Sequence, residues 1–117
     1  MEKEFAWEFA KDWVDSWNCH DIDRILEHYT DDFEMNSPVI VLRMKIPSGT
    51  LSGKEAIREY WSKALEAYST LKFELQSVFM GVNSLTIQYF SSISGRVVET
   101  FLFNSEFKVY AAYAMYE

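Results

Sequence analysis

Cysteine is almost absent from the sequence, and long apolar runs are missing altogether. The single cysteine, Cys19, cannot form an internal disulfide, and a zinc site would require several more ligands. No apolar run is long enough to cross a bilayer. The N-terminus alternates charged with apolar residues, whereas a signal peptide contains an unbroken apolar stretch. We therefore expect a cytoplasmic protein that makes no membrane contact.

Basic residues are also scarce. The chain has 11 Lys and Arg against 18 Asp and Glu, which gives a formal net charge of −7. The basic residues are scattered singly, whereas a nucleic-acid-binding protein gathers them to displace counterions from phosphates. Neither a glycine-rich phosphate loop nor a flavin or nicotinamide fingerprint is present. The sequence thus predicts neither nucleic-acid binding nor a cofactor.

Aromatic residues, by contrast, are abundant. They make up 17% of the chain, and 49% of all residues are hydrophobic. A chain of 117 residues fits one domain, residues 1–117, with its own core. The aromatic content predicts either a densely packed core or a cavity with aromatic walls.

Three helices are predicted before any long strand. Apolar residues recur every three or four positions over residues 4–18, which is typical of one helix face. Asp21 stands at an N-cap position before a second, short helix. Ser52 is expected to cap a third helix, with Glu55 as its capping-box partner.

The remaining patterns predict strands. Residues 30–32 are typical of a turn, and alternation over residues 33–39 predicts a short first strand with Pro38 at its edge or end. The strand pattern extends over residues 39–46. Four further strand-like runs follow at residues 72–80, 84–92, 95–103 and 108–116. Their short separators predict an antiparallel meander. The expected fold is α+β, a cone-shaped antiparallel sheet curved around three N-terminal helices, with an open pocket.

A family resemblance supports this architecture. A pattern of tryptophan, asparagine, aspartates and aromatics resembles the nuclear-transport-factor-2-like superfamily, in its SnoaL-like and ketosteroid-isomerase-like branches. The residues that carry it are Trp17, Asn18, Asp21, Asp23, Ile25, Tyr29, Asp31, Asp32 and Phe33. Residues 53–61 match the third helix of that superfamily. The resemblance implies the cone fold but not one function, because this fold serves isomerases, cyclases, dehydratases, epoxide hydrolases and non-enzymes.

The isomerase branch provides a comparison residue by residue. Its oxyanion-donating tyrosine corresponds to Trp13, its aspartate base before a proline to Ser37, and its second oxyanion acid to Glu99. A serine cannot shuttle a proton near neutral pH without a partner base, so ketosteroid isomerisation is not expected. The resemblance also places an insert, residues 41–51, near the mouth of the pocket.

Glu99 is the one candidate catalytic residue. Strand alternation puts it on the same face as Val97 and Phe101, where an acid is costly unless it is protonated, paired or open to water. The alternation alone allows Glu99 to face either the pocket or solvent. The candidate ligand-binding residues are Trp13, Trp17, Met35, Ser37, Trp61, Phe101, Tyr110 and Tyr116.

Histidines and aspartates offer weaker candidates. His20 lies in the turn between two helices and His28 is expected to face away from the core, and neither has an evident catalytic partner. The aspartates near residues 21–32 occupy a cap, a first helical turn and a turn, without the regular ligand spacing of a calcium loop. No metal is therefore predicted.

Two functions stay open on this evidence. One is binding of a small, mostly apolar or aromatic molecule, with Glu99 as the single acid of an isomerase, cyclase or dehydratase. The other is a non-catalytic ligand carrier or a dimeric interaction module. An apolar outer face of the sheet predicts a homodimer. The residues of that face are Val98, Thr100, Leu102, Val109, Ala111, Tyr113 and Met115.

Overall fold

The computed structural model describes all residues, 1–117, and contains four helices. They are α1 (Lys3–Asn18), α2 (Ile22–Leu26), α3 (Pro38–Met44) and α4 (Lys54–Ala67). None of these helices is both long and apolar enough to span a membrane. The helix α1 carries the predicted apolar stripe, and its buried face includes Phe9, Trp13 and Trp17.

Six strands form one curved sheet that does not close. They are β1 (Tyr29–Asn36), β2 (Thr50–Ser52), β3 (Phe73–Gly81), β4 (Ser84–Ser91), β5 (Gly95–Phe103) and β6 (Val109–Tyr116). Their order across the sheet is β2-β1-β6-β5-β4-β3. The predicted α+β fold and the four-stranded meander β3–β6 are confirmed. The core lies between the concave face of this sheet and the helices.

The pairing of β1 differs from the prediction of an antiparallel sheet. β1 pairs with β6 in parallel, and only its other edge pairs antiparallel, with β2. β1 also begins at Tyr29, so residues 30–32 are part of the strand and not a turn. The register shifts between Tyr29 and Glu34, which leaves the two aspartates in an irregular stretch.

The segment after Pro38 is a helix, and the predicted strand over residues 39–46 is wrong. The Ser37 side chain accepts a hydrogen bond from the Val39 backbone N–H at 3.1 Å, and Pro38 occupies the first helical position. An N-cap followed by proline starts a helix even where β-branched residues follow. The helix ends at Lys45, whose φ of 55° lies in the left-handed region.

The start of α4 also differs from the prediction. Ser52 ends the short strand β2, and Gly53 is the N-cap residue, with a φ of 94° and no side-chain capping bond. That positive φ suits glycine, because a side chain there would be strained. The expected capping box of Ser52 and Glu55 is therefore absent.

A bulge in β6 shifts the faces of its first residues. Phe103 pairs with Val109 while Leu102 pairs with Ala111, so Tyr110 is the extra residue. As a result Val109 is fully buried and not on the outer face as predicted. Tyr110, predicted to face the pocket, is 46% exposed.

Candidate functional site

A cavity of about 120 Å³ lies between the concave face of the sheet and the helices α1, α3 and α4. Its walls are mainly apolar and aromatic. The residues around it are Trp13, Trp17, Met35, Ser37, Val39, Arg43, Tyr60, Trp61, Ala64, Tyr68, Leu71, Phe73, Tyr89, Ser91, Ile93, Ser94, Val97, Glu99 and Tyr116. Glu99 and Arg43 are the only Asp, Glu, Lys or Arg residues among them.

Glu99 lies in the cavity wall with its side chain on the concave face. It sits between Ile87 of β4 and Ala114 of β6, which are buried cross-strand neighbours, and is itself 4% exposed. The Tyr89 hydroxyl donates a hydrogen bond to Glu99 Oε1 at 3.2 Å. The other oxygen, Oε2, has no partner within the protein and opens to the cavity.

This environment favours the neutral form of the Glu99 carboxyl. Burial raises the pKa of Glu99 to about 8, although the hydrogen bond from Tyr89 acts in the opposite direction. No Lys or Arg pairs with it. A neutral carboxyl has both a proton to donate and an oxygen that accepts, so it can exchange a proton with a molecule in the cavity.

Trp13 does not replace the oxyanion donor of the isomerase branch. Its indole N–H donates to the Tyr29 hydroxyl at 2.9 Å, and both residues are buried. The ring stacks on Phe73, with centroids 5.7 Å apart, and contacts Tyr89 at 5.4 Å. Trp13 therefore supplies an apolar wall, and its only polar group is already engaged.

Ser37 and Tyr116 add hydroxyl groups near Glu99. Ser37 occupies the position of the isomerase base, but its oxygen caps α3. Burial raises the pKa of Tyr116 to about 12, and the nearby Ser37 hydroxyl counteracts this rise. The Tyr116 phenol therefore stays protonated at neutral pH and can donate to a ligand.

Arg43 borders the outer part of the cavity and was not predicted from the sequence as a site residue. It lies in the last turn of α3, donates a hydrogen bond to the Tyr68 hydroxyl, and its guanidinium lies 4.9 Å from the centre of the Tyr68 ring. The sequence indicated the position of Arg43 only indirectly, because this arginine lies in the insert at residues 41–51 that was expected near the mouth of the pocket.

Six of the eight predicted ligand-binding residues border the cavity: Trp13, Trp17, Met35, Ser37, Trp61 and Tyr116. Phe101 is fully buried behind the wall, where it packs edge-on against Trp13 and Phe9. Tyr110 lies outside because of the β6 bulge.

The histidines lie away from the cavity. The His20 ring contacts the Leu71 carbonyl at 2.9 Å. His28 packs on Phe9 and lies 2.8 Å from an Asp12 carboxylate oxygen, a partner that the sequence did not reveal. Burial lowers the pKa of His28. No group of three His, Cys, Asp or Glu side chains is placed to hold a metal.

An open α+β cone with an aromatic-walled cavity between its sheet and helices defines the class of this protein. The family model for the SnoaL-like domain matches residues 10–103, and the chain belongs to this family. A search of curated proteins finds no match.

Solved structures agree with this assignment. A SnoaL-like protein of unknown function from Burkholderia thailandensis E264 is 41% identical, with a TM-score of 0.97 over 99% of this chain and 97% of that one. SalBIII, described as an epoxide hydrolase/cyclase-like enzyme, is 16% identical with a TM-score of 0.77, covering 99% and 93%. AclR, a putative hydroxylase from Streptomyces galilaeus, is 14% identical with a TM-score of 0.76, covering 97% and 79%. The last two similarities indicate the fold alone.

Proposed function

We propose that this SnoaL-like domain binds a small, mostly apolar or aromatic molecule in its cavity and that Glu99 donates a proton to it. The reaction class is that of an isomerase, cyclase or dehydratase. The observation that carries the proposal is the buried Glu99 carboxyl, which has one oxygen bonded to Tyr89 and the other open to the cavity.

The pKa of Glu99 sets the direction of proton transfer. With a pKa of about 8, the carboxyl is mostly protonated at neutral pH, so it acts first as a general acid toward a carbonyl, hydroxyl or epoxide oxygen. The mainly apolar walls strengthen that hydrogen bond. The hydroxyls of Tyr89 and Tyr116 stabilise the carboxylate left after transfer, since both are neutral donors in the same cavity. That carboxylate then takes a proton from the ligand itself, from a neighbouring C–H or from an attacking hydroxyl, which restores the acid.

The size of the cavity limits the ligand. A cavity of roughly 150 Å³ admits a benzene-sized molecule, and this one measures about 120 Å³. Its volume therefore matches a ligand of about one ring better than a four-ring steroid. This limit and the loss of the base at Ser37 both argue against ketosteroid isomerisation.

A carrier function without catalysis is the second candidate. It is favoured by a specific observation: of the three isomerase groups, Trp13 donates to Tyr29 and Ser37 caps a helix, which leaves Glu99 alone. A single acid is enough to hold a ligand carbonyl without turning it over.

The test compares the wild type with Glu99→Gln, which keeps the shape but removes the proton. Co-purified molecules are identified by native mass spectrometry, and turnover is assayed on cyclohexene oxide and 3-hydroxycyclohexanone as one-ring probes. We expect turnover by the wild type, a fall in kcat/KM above pH about 8, and a loss of at least about a hundredfold in Glu99→Gln.

Glu74→Gln is the matched control, because Glu74 is an exposed glutamate of β3. Equal rates for wild type and Glu99→Gln would contradict proton donation by Glu99. Ligand retention without turnover of any probe would instead support the carrier function.

A further inference from the structure

The four arginines of the chain differ in their partners. Arg24, Arg58 and Arg96 each form an ion pair with a carboxylate of the protein. Arg43 has no carboxylate within ion-pair distance, although acids outnumber bases by 18 to 11. Its single hydrogen bond goes to the Tyr68 hydroxyl. A guanidinium has five N–H groups, so four of those in Arg43 have no partner in the protein.

Arg43 is held in place although it is exposed. The Tyr68 hydroxyl accepts from it, and the Tyr68 ring lies under the guanidinium at 4.9 Å. Its backbone is fixed in the last turn of α3, two residues before the left-handed residue Lys45. A restrained guanidinium loses less entropy when it binds a ligand than a free one does.

The cavity is electrostatically distinct from the rest of the molecule. Arg43 and Glu99 are its only Asp, Glu, Lys or Arg residues, and the Glu99 carboxyl is mostly neutral near pH 7. The cavity therefore carries one positive charge in a protein whose formal charge is −7. Within the cavity, Arg43 is therefore the only group whose charge can compensate that of a bound anion.

Glu99 and Arg43 have opposite electrostatic effects on the hydroxyl group of Tyr116. The Glu99 carboxylate raises the pKa of Tyr116 and the Arg43 guanidinium lowers it, so both are near enough to act on the same phenol. Glu99 is buried and Arg43 is exposed. The cavity thus has a neutral acid at its inner end and a cation toward its mouth.

We propose that the cavity selects a one-ring carboxylate, whose carboxylate group binds the free N–H groups of Arg43 while its ring and an uncharged oxygen reach inward to Glu99. Arg43 is then a residue that determines ligand specificity. A carboxylate matches the planar fork of a guanidinium with two parallel hydrogen bonds. This inference rests on the proposed function, because it uses the same cavity.

The experiment measures binding of charged and neutral probes of equal shape. The probes are 4-hydroxybenzoate and 4-hydroxybenzamide, and binding is followed by two-dimensional amide NMR of the full chain. Arg43→Gln is compared with Arg58→Gln, a matched control in which an ion-paired arginine outside the cavity is removed.

We expect 4-hydroxybenzoate to bind the wild type more tightly than the amide. Arg43→Gln should weaken binding of the carboxylate by at least about tenfold and leave binding of the amide within about twofold. Arg58→Gln should change neither. Added salt should weaken binding of the carboxylate only.

Other results separate the two proposals. If both probes shift the cavity amides equally, and Arg43→Gln has no effect, carboxylate selection is wrong while the cavity remains a ligand site. If neither probe perturbs the amides of the cavity residues, carboxylate selection is wrong and the one-ring ligand of the proposed function is contradicted as well.

A variant that fails to fold is recognised by its spectrum, and Tyr68→Phe then serves in its place, since it keeps the ring but releases Arg43. If Tyr68→Phe leaves the affinity for 4-hydroxybenzoate unchanged, the role of a restrained Arg43 is also overturned.

Discussion

At the scale of single residues, Glu99 shows how strand pairing decides what alternation leaves open. Its own strand allows either face, but Ile87 and Ala114 on the neighbouring strands are both buried and fix the side chain toward the cavity. A buried carboxyl without a cationic partner is destabilising in its charged form. The protein holds it in the neutral form, which is also the form needed for proton donation.

Substitution of Glu99 by Gln should change how stability depends on pH. The pKa of Glu99 is raised from 4.5 to about 8 on folding, so between these values the folded protein holds a proton that the unfolded chain has lost. The wild type is then expected to lose stability relative to Glu99→Gln as pH rises, by up to about 1.4 kcal/mol per pH unit. Below pH 4.5 and above pH 8 the difference is expected to be flat.

Urea unfolding of both proteins from pH 4 to 9 measures this difference. The variant Glu59→Gln, which removes an exposed acid of α4, controls for the loss of one charge. If the wild type gains stability over Glu99→Gln as pH rises, Glu99 is an ion-pair partner and its proposed role in catalysis is wrong.

At the scale of elements, α3 is the part of the fold that sets this site apart from the isomerase pattern. Its N-cap, Ser37, stands where that branch has its base, and its last turn carries Arg43. The same short helix thus places a capping serine and a cation at the border of the cavity. Gly49, with a φ of 69°, lies against Val41 and the Ser37 carbonyl in the loop that returns from α3.

Loss of the Ser37 cap should destabilise α3. In Ser37→Ala the Val39 N–H loses its side-chain acceptor, and we expect a cost of about 1 kcal/mol in the free energy of unfolding. Ser52→Ala is the matched control, because Ser52 makes no capping bond and should cost less than about 0.5 kcal/mol. Thermal unfolding measures both. Equal stability of the two variants would contradict the capping role of Ser37.

At the scale of the whole molecule, the outer face of the sheet is apolar and uncovered. Phe79, Tyr113 and Met115 are each more than two-fifths exposed, and Val98 and Leu102 lie between them as half-buried residues. The centre of this face holds one polar contact, between the hydroxyls of Thr86 and Thr100 at 2.8 Å. Exposed apolar faces are common sites of twofold contact between copies of a chain, so we propose a second copy of the chain as its partner.

Sedimentation velocity should find a dimer at roughly tens of micromolar protein. A lysine at Met115 would place a charge within the outer face, so Met115→Lys is expected to sediment as a monomer. Val82→Lys is the control, since Val82 is exposed at the tip of the β3–β4 hairpin and outside this face. A wild type that sediments as a monomer would rule out this interface.

The sequence by itself determined α1, the helix α4 and the four-stranded meander, because their periods of 3.6 and 2 are local. Only the tertiary structure decided the parallel pairing of β1 with β6, the bulge that turns Tyr110 outward and the bond from Trp13 to Tyr29. These features join segments far apart in the chain, and local patterns do not record such contacts. The Ser37 cap is a local signal, but the β-branched residues after it favour a strand, so the sequence alone did not predict α3. The position of Arg43 beside the cavity depends on that helix.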